Sequence, residues 1–202
     1  MVQIKVDIAA RKNYGNRRKT KDIKYLVIHY TGNDGDSAKG NANYFKTHIV
    51  EASAHYFVDD NGIIQSVPDD FAAYSVGGKK YPSCGKTGGG RFYGKCTNEN
   101  SINVELCDTR KNGKFDFSEE TLDNAADLCR VLLKKYNISV DNIIRHFDVT
   151  GKNCPAPFVS DGKAWEAFQE RIVDEVKYYE EKKDVPKWAQ PMVQDMIDKG
   201  CF

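Results

Sequence analysis

The chain has 202 residues, a net charge of +1 and six cysteines. That length suits one domain with a sizeable core, or one domain with a short appendage. Balanced charge gives no electrostatic case for a nucleic-acid partner, and no run of 18 apolar residues is present to insert into a membrane.

In chain order, the opening Met-Val-Gln-Ile-Lys-Val-Asp lacks the apolar core of a secretory signal, so synthesis in the cytoplasm is expected. Residues 11–24 are strongly basic against one acid, Asp22, and read as a solvated entry segment rather than a patch for an anionic polymer. The run Lys24-Tyr-Leu-Val-Ile-His29-Tyr-Thr-Gly32 predicts a buried strand that ends in a histidine and a Thr-Gly turn. Ser37 to Val50 has the spacing of a helix over the sheet, with His48 an ordinary residue on it.

Residues 53–67 predict a hairpin turning at Asp60-Asn61-Gly62, where positive φ is tolerated. Its first strand is expected to place His55 and Phe57 on one face and Ala54 and Tyr56 on the other. His55 is a rival metal ligand, but its mid-strand position among aromatics favours a packed structural role. Val76 to Asn98, with Gly88-Gly-Gly90, reads as a long loop that could wall a cleft. In the strand Ser101 to Cys107, Ile102, Val104 and Leu106 point one way, while Asn103, Glu105 and Cys107 point the other. A mid-strand carboxylate is costly to bury without a site or partner, which singles out Glu105.

A helix capped by Ser118 carries the stripe Leu122, Ala125, Cys129, Leu132 and Tyr136; a second begins near Ser160-Asp161 with Trp165, Phe168, Ile172, Val176 and Tyr179. Strands covered by helices predict a mixed α/β domain. The cysteines contain no Cys-x-x-Cys and no dense disulfide framework; Cys84 and Cys96 could pair if oxidised but are expected as free thiols.

Between the two helices, Ile143-Ile-Arg-His146 ends a second buried strand in a histidine, and irregular chain through Thr-Gly and Pro-Ala-Pro returns Cys154. Zinc takes imidazole nitrogen and thiolate sulfur, and a catalytic site needs three protein ligands and one open position. Singly, each histidine reads as a hydrogen-bonded strand-end residue. If the strands ending at His29 and His146 are neighbours, both histidines and Cys154 form such a ligand set.

These pieces together resemble the type-2 N-acetylmuramoyl-L-alanine amidases, the zinc amidase family that includes peptidoglycan recognition proteins and phage endolysins. The matching stretches are Val-Ile-His29-Tyr-Thr, Ser53-Ala-His-Tyr-Phe-Val, Asn100-Ser-Ile-Asn-Val-Glu105, Arg145-His146-Phe-Asp and Lys152-Asn-Cys154-Pro155, in the family's order over residues 20–180. The resemblance implies a central mixed sheet covered by helices. It implies one zinc per domain on His29, His146 and Cys154, with Glu105 as general base and Lys152 near the scissile carbonyl. The substrate implied is bacterial peptidoglycan, cleaved between N-acetylmuramic acid and L-alanine.

Tyr30, Thr31 and Asn103 are expected to meet substrate, and Asp148 either orients a ligand or caps the following turn. The tyrosine helper of some phage members is absent, its position being Ala54; Tyr56 is the fallback base if Glu105 is not. Asn103 stands where many relatives have glycine, and Ser75 where many have histidine. Without a signal, action at the wall would need a holin-type release partner, as for an endolysin; a cytoplasmic enzyme recycling muropeptides is the rival. Two other rivals are a non-catalytic recognition module and a closed structural zinc site completed by His55, Cys107 or Cys96.

After Glu180-Glu-Lys-Lys-Asp184 the composition changes, and Pro186 discourages helix continuation. Residues 1–184 are therefore read as the catalytic domain. Residues 185–202, with the stripe Trp188, Val193, Met196 and Ile197, are read as a helical appendage that could open a wall-binding region.

Overall fold

Residues 25–30, Tyr-Leu-Val-Ile-His-Tyr, have apolar side chains on both faces, and the sheet is built around them. The computed structural model describes residues 3–180, with side chains to residue 173. The boundary drawn at 184 and the helix expected over 185–202 lie outside the described residues, as do the side chains of Val176 and Tyr179.

The elements are β1 (Ile4–Val6), β2 (Tyr14–Arg17), β3 (Tyr25–Tyr30), α1 (Ala38–Thr47), β4 (Tyr56–Asp59), β5 (Gly62–Gln65), β6 (Phe71–Ala73), α2 (Cys84–Thr87), β7 (Ser101–Leu106), β8 (Thr109–Lys111), β9 (Lys114–Asp116), α3 (Glu119–Tyr136), β10 (Ile143–Arg145), α4 (His146–Thr150), α5 (Ala156–Ser160) and α6 (Gly162–Glu180). A six-stranded mixed sheet runs β1-β5-β4-β7-β3-β10, so the fold is the mixed α/β architecture expected. Its strands β4, β7, β3 and β10 are mutually parallel, while β5 pairs antiparallel with β4. Four carboxyl ends therefore open on one edge, where open α/β sheets bind their ligands.

Alternation along β3 and β7 sends Leu26, Ile28, Ile102, Val104 and Leu106 into the main core under α3, α5 and α6. Trp165, Phe168 and Ile172 from α6 complete it, each such side chain contributing about 1.5–3 kcal/mol on burial. The opposite face carries Val27 and Ile144 against Val76, Cys96 and Val149, and Phe57 and Ile64 against α1. His29, Asn103 and Glu105 share the parity of Val27, not that of the main core.

Several local expectations change. Strand β4 begins at Tyr56, so His55 lies just before the strand rather than within it. Ala54 accordingly packs with Phe57, while Tyr56 enters the main core. Helix α1 stops at Thr47, and His48 is its exposed C-cap, stacked on Tyr44. The chain after β10 is not irregular: a short helix starts at His146 itself. Ser118 caps α3 as predicted, its hydroxyl accepting from Thr121 N. Cys84 and Cys96 are both buried free thiols.

Candidate metal centre and active site

Parallel pairing of β10 with β3 sets Arg145 beside Ile28, so His146 follows at the same edge as His29. The chain then passes through α4 and a left-handed Gly151 and brings Cys154 back, with Phe147 N donating to Cys154 O at 2.8 Å. His29 Nδ1 lies 3.1 Å from His146 Nδ1 and 3.8 Å from Cys154 Sγ. All three donors fall within 4.8 Å of one another, and all three residues are buried. A tetrahedral zinc with Zn–N near 2.0 Å and Zn–S near 2.3 Å separates its ligand atoms by roughly 3.3–3.6 Å, so the cluster has the right size.

The protonation pattern fits as well. Burial lowers the pKa of His29 to about 4, and burial with the His29 ring alongside lowers that of His146. Both imidazoles are thus neutral, as ligands must be. Asn103 Oδ1 lies 3.0 Å from His29 Nε2, which puts the hydrogen there and leaves Nδ1 bare. Burial, reinforced by Glu105, pushes the Cys154 thiol up to about 12; a bound cation reverses that preference, because a coordinating thiol is deprotonated.

Glu105 is the register partner of His29 on β7. Its Oε1 is 3.8 Å from His29 Nδ1, and its Oε2 is buried with no hydrogen-bond partner. Burial raises its pKa to about 8, with the Lys152 ammonium pulling the other way. Lys152 itself is exposed, two residues before Cys154. It lines a cavity of about 480 Å³ with His146, Thr150 and Ser75 through Pro82 except Val76, so the long loop does wall one side of the site.

The other expected residues sort differently. Asn103 is fully buried, with its amide on His29 and Ser101, so in this structure it holds the histidine and has no face for substrate. The Thr31 hydroxyl donates to Asp108 Oδ2, and Tyr30 is half-buried with its ring edge-to-face on Phe115. Asp148 takes the capping role: it accepts from Arg145 N, Nε and Nη2, which fixes the turn on which His146 sits. Tyr56 is no fallback base, because its hydroxyl donates to Asp69 on the helix-covered face. His55, Cys96 and Cys107 stand outside the donor cluster, so no fourth protein ligand closes it among the described residues.

Arg18 departs from the solvated segment expected. It is half-buried, with its guanidinium donating to the carbonyls of Asp69, Asn98, Glu99 and Ser101. Nothing in the basic run 11–24 distinguishes Arg18 from its neighbours; only the fold does.

The family model described as N-acetylmuramoyl-L-alanine amidase matches residues 19–157. The chain belongs to this amidase family. It is 36% identical over 161 residues to the N-acetylmuramoyl-L-alanine amidase CwlL of Bacillus licheniformis, covering 76% of this chain and 42% of the relative. It is 36% identical over 160 residues to BlyA of Bacillus subtilis, covering 76% of this chain and 42% of the relative. The chain thus spans about two fifths of the length of these curated relatives. Among solved structures, PlyL superposes with a TM-score of 0.65 at 30% identity, over 85% of this chain and 97% of that one. The XlyA catalytic domain does so with a TM-score of 0.64 at 27% identity, over 85% and 99%.

Proposed function

We propose that this chain hydrolyses the amide bond between N-acetylmuramic acid and L-alanine in bacterial peptidoglycan, with zinc held by His29, His146 and Cys154. The observation that carries this reading is the trio of buried donors beside the unpartnered Glu105 oxygen, in a member of the amidase family. Zinc in such a three-ligand set polarises an amide carbonyl and activates water.

The chain's own residues do the rest. Glu105 Oε2, free of any protein partner, takes a proton from the attacking water. The burial that raises its proton affinity suits it to return that proton to the leaving alanine nitrogen. The exposed Lys152 ammonium stabilises negative charge gathering on the carbonyl oxygen. Asn103 and Asp148 keep the two histidines in place, and the 75–82 loop walls the groove on the Lys152 side.

A lytic wall enzyme of the endolysin or autolysin kind is the setting this reading favours, with a membrane-permeabilising partner giving access to the wall. No described helix is long and apolar enough to cross a membrane. The test is to incubate the purified protein with cell-wall peptidoglycan. New N-terminal alanine without new reducing sugar is expected; reducing ends without new alanine would contradict it.

A further inference from the structure

We propose that Asn103 is a positioning residue for the metal centre: its side-chain carbonyl, held in place by a buried chain of contacts through His55 and Arg18, fixes the His29 ring with Nδ1 bare and turned to the other two donors. This rests on the zinc reading above and deepens it. Three features of the sequence that the reaction itself does not use, the asparagine at 103, His55 and the basic entry segment, meet in one device.

The direction of each bond is set by its neighbour. Ser101 Oγ donates to Thr97 O at 2.7 Å, which leaves its lone pairs to accept from Asn103 Nδ2 at 3.1 Å. With Nδ2 so occupied, the end of the amide at His29 Nε2 is the carbonyl, an acceptor, 3.0 Å away. His29 must therefore carry its hydrogen on Nε2, and its lone pair on Nδ1 faces His146 Nδ1 and Cys154 Sγ. An asparagine whose amide were free to rotate would not select the tautomer; here the serine locks it.

The backbone of Asn103 is gripped in turn. His55 N donates to Asn103 O, and Asn103 N donates to His55 Nδ1, both at 3.0 Å. His55 is fully buried; because its Nδ1 accepts, its Nε2 carries the hydrogen and donates to Phe71 O at 3.1 Å, while Arg18 Nη2, 2.8 Å from the same nitrogen, packs against the ring without a hydrogen bond to it. Arg18 Nη1 reaches Ser101 O at 2.7 Å and Asn98 O at 2.9 Å, so the guanidinium ties the entry segment to the start of β7. Hydrogen bonds thus run from Phe71 O through the His55 ring to the Asn103 backbone, and from the Asn103 side chain to His29, with the half-buried Arg18 packed at the outer end. A glycine at 103 would keep the strand but offer His29 no carbonyl.

Loss of such an outer partner typically lowers metal affinity about 10–100-fold. The experiment uses the full chain and zinc alone, with dissociation constants from chelator competition and the fold followed by circular dichroism. Asn103→Leu, similar in size but without an acceptor, is expected to bind zinc about 10–100-fold more weakly, and Asn103→Asp, which keeps an acceptor oxygen, at least as tightly as the parent. Equal affinity in the Leu variant, or a tenfold loss in the Asp variant, would overturn the proposal. Should the Leu variant fail to fold, ¹⁵N NMR of the His29 ring in the parent decides: hydrogen on Nε2 is expected, and hydrogen on Nδ1 in the metal-free protein overturns it. A parent that binds no zinc would instead overturn the metal reading itself, so the two failures are distinguishable.

Discussion

His29 and Glu105 stand opposite each other on adjacent parallel strands, with Glu105 Oε1 3.8 Å from His29 Nδ1. That register joins the donor cluster to the only carboxylate beside it on β7. A slip of one residue would turn either side chain into the main core. The amidase reading depends on this pairing, because a hydrolytic metal needs a proton acceptor within reach.

Glu105→Gln is therefore expected to keep the fold and the bound zinc while losing turnover about 10²–10⁴-fold. Rates on purified peptidoglycan, with zinc content measured on the same sample, check this. Normal hydrolysis by the Gln variant would place the proton acceptor elsewhere.

Gly151 closes α4 with φ of +82°, and a Cβ there would overlap Cys84 Sγ. Gly151→Ala combines left-handed strain of about 1–2 kcal/mol with that overlap. It is expected to lower the thermal midpoint by several degrees and to displace the 75–90 loop from Lys152, with activity falling alongside. An unchanged midpoint and rate would show that loop and turn are not packed as described.

Asp69 anchors the far end of the sheet. Burial alone would raise its pKa, but hydrogen bonds from Tyr136, Lys135 and Tyr56 outweigh it and hold the carboxyl below the usual range. Its folded pKa lies below its unfolded one, so it stabilises the fold fully above pH ~4, and that contribution is lost as the pH falls below this range. Asp69→Asn is expected to cost about 1.5–3 kcal/mol at pH 7 and much less at pH 3. Urea unfolding at the two values checks it; an equal cost at both would mean that the charge is not what these bonds require.

The main helix-covered core uses Trp165, Phe168 and Ile172 of α6, all before residue 173. We propose that residues 185–202 are separate from the catalytic domain. A chain ending at Asp184 is then expected to retain zinc and peptidoglycan hydrolysis. Unfolding or loss of metal on truncation would make the tail part of the amidase core.

The candidate donor trio His29, His146 and Cys154 is legible because two buried runs each end in a histidine, one followed closely by a cysteine, and because the matching stretches occur in the family's order. The strand-end position follows from side-chain alternation, which a sequence states directly. What stayed hidden depends on distant partners. Asn103 looked like a substrate contact because only its parity was visible, not the His29 nitrogen and Ser101 hydroxyl that absorb its amide. Arg18 was one cation among several until the carbonyls of Asn98 and Ser101 gathered on it. The β8–β9 hairpin and the β2–β6 pair are three- or four-residue strands, too short for a periodic signal. Tyr56 does lie opposite Phe57 as alternation predicts, though not together with Ala54; its partner Asp69 is thirteen residues away and no local pattern points to it.

The central claim, that His29, His146 and Cys154 hold a catalytic zinc, is tested most directly by metal removal and return on one preparation. Zinc per chain and release of N-terminal alanine from peptidoglycan would be measured before chelation, after it, and after adding zinc back. The account predicts one zinc per chain, activity that disappears with it and returns with it, and a Cys154→Ser variant that holds zinc less tightly. Full alanine release by the metal-free protein would contradict it.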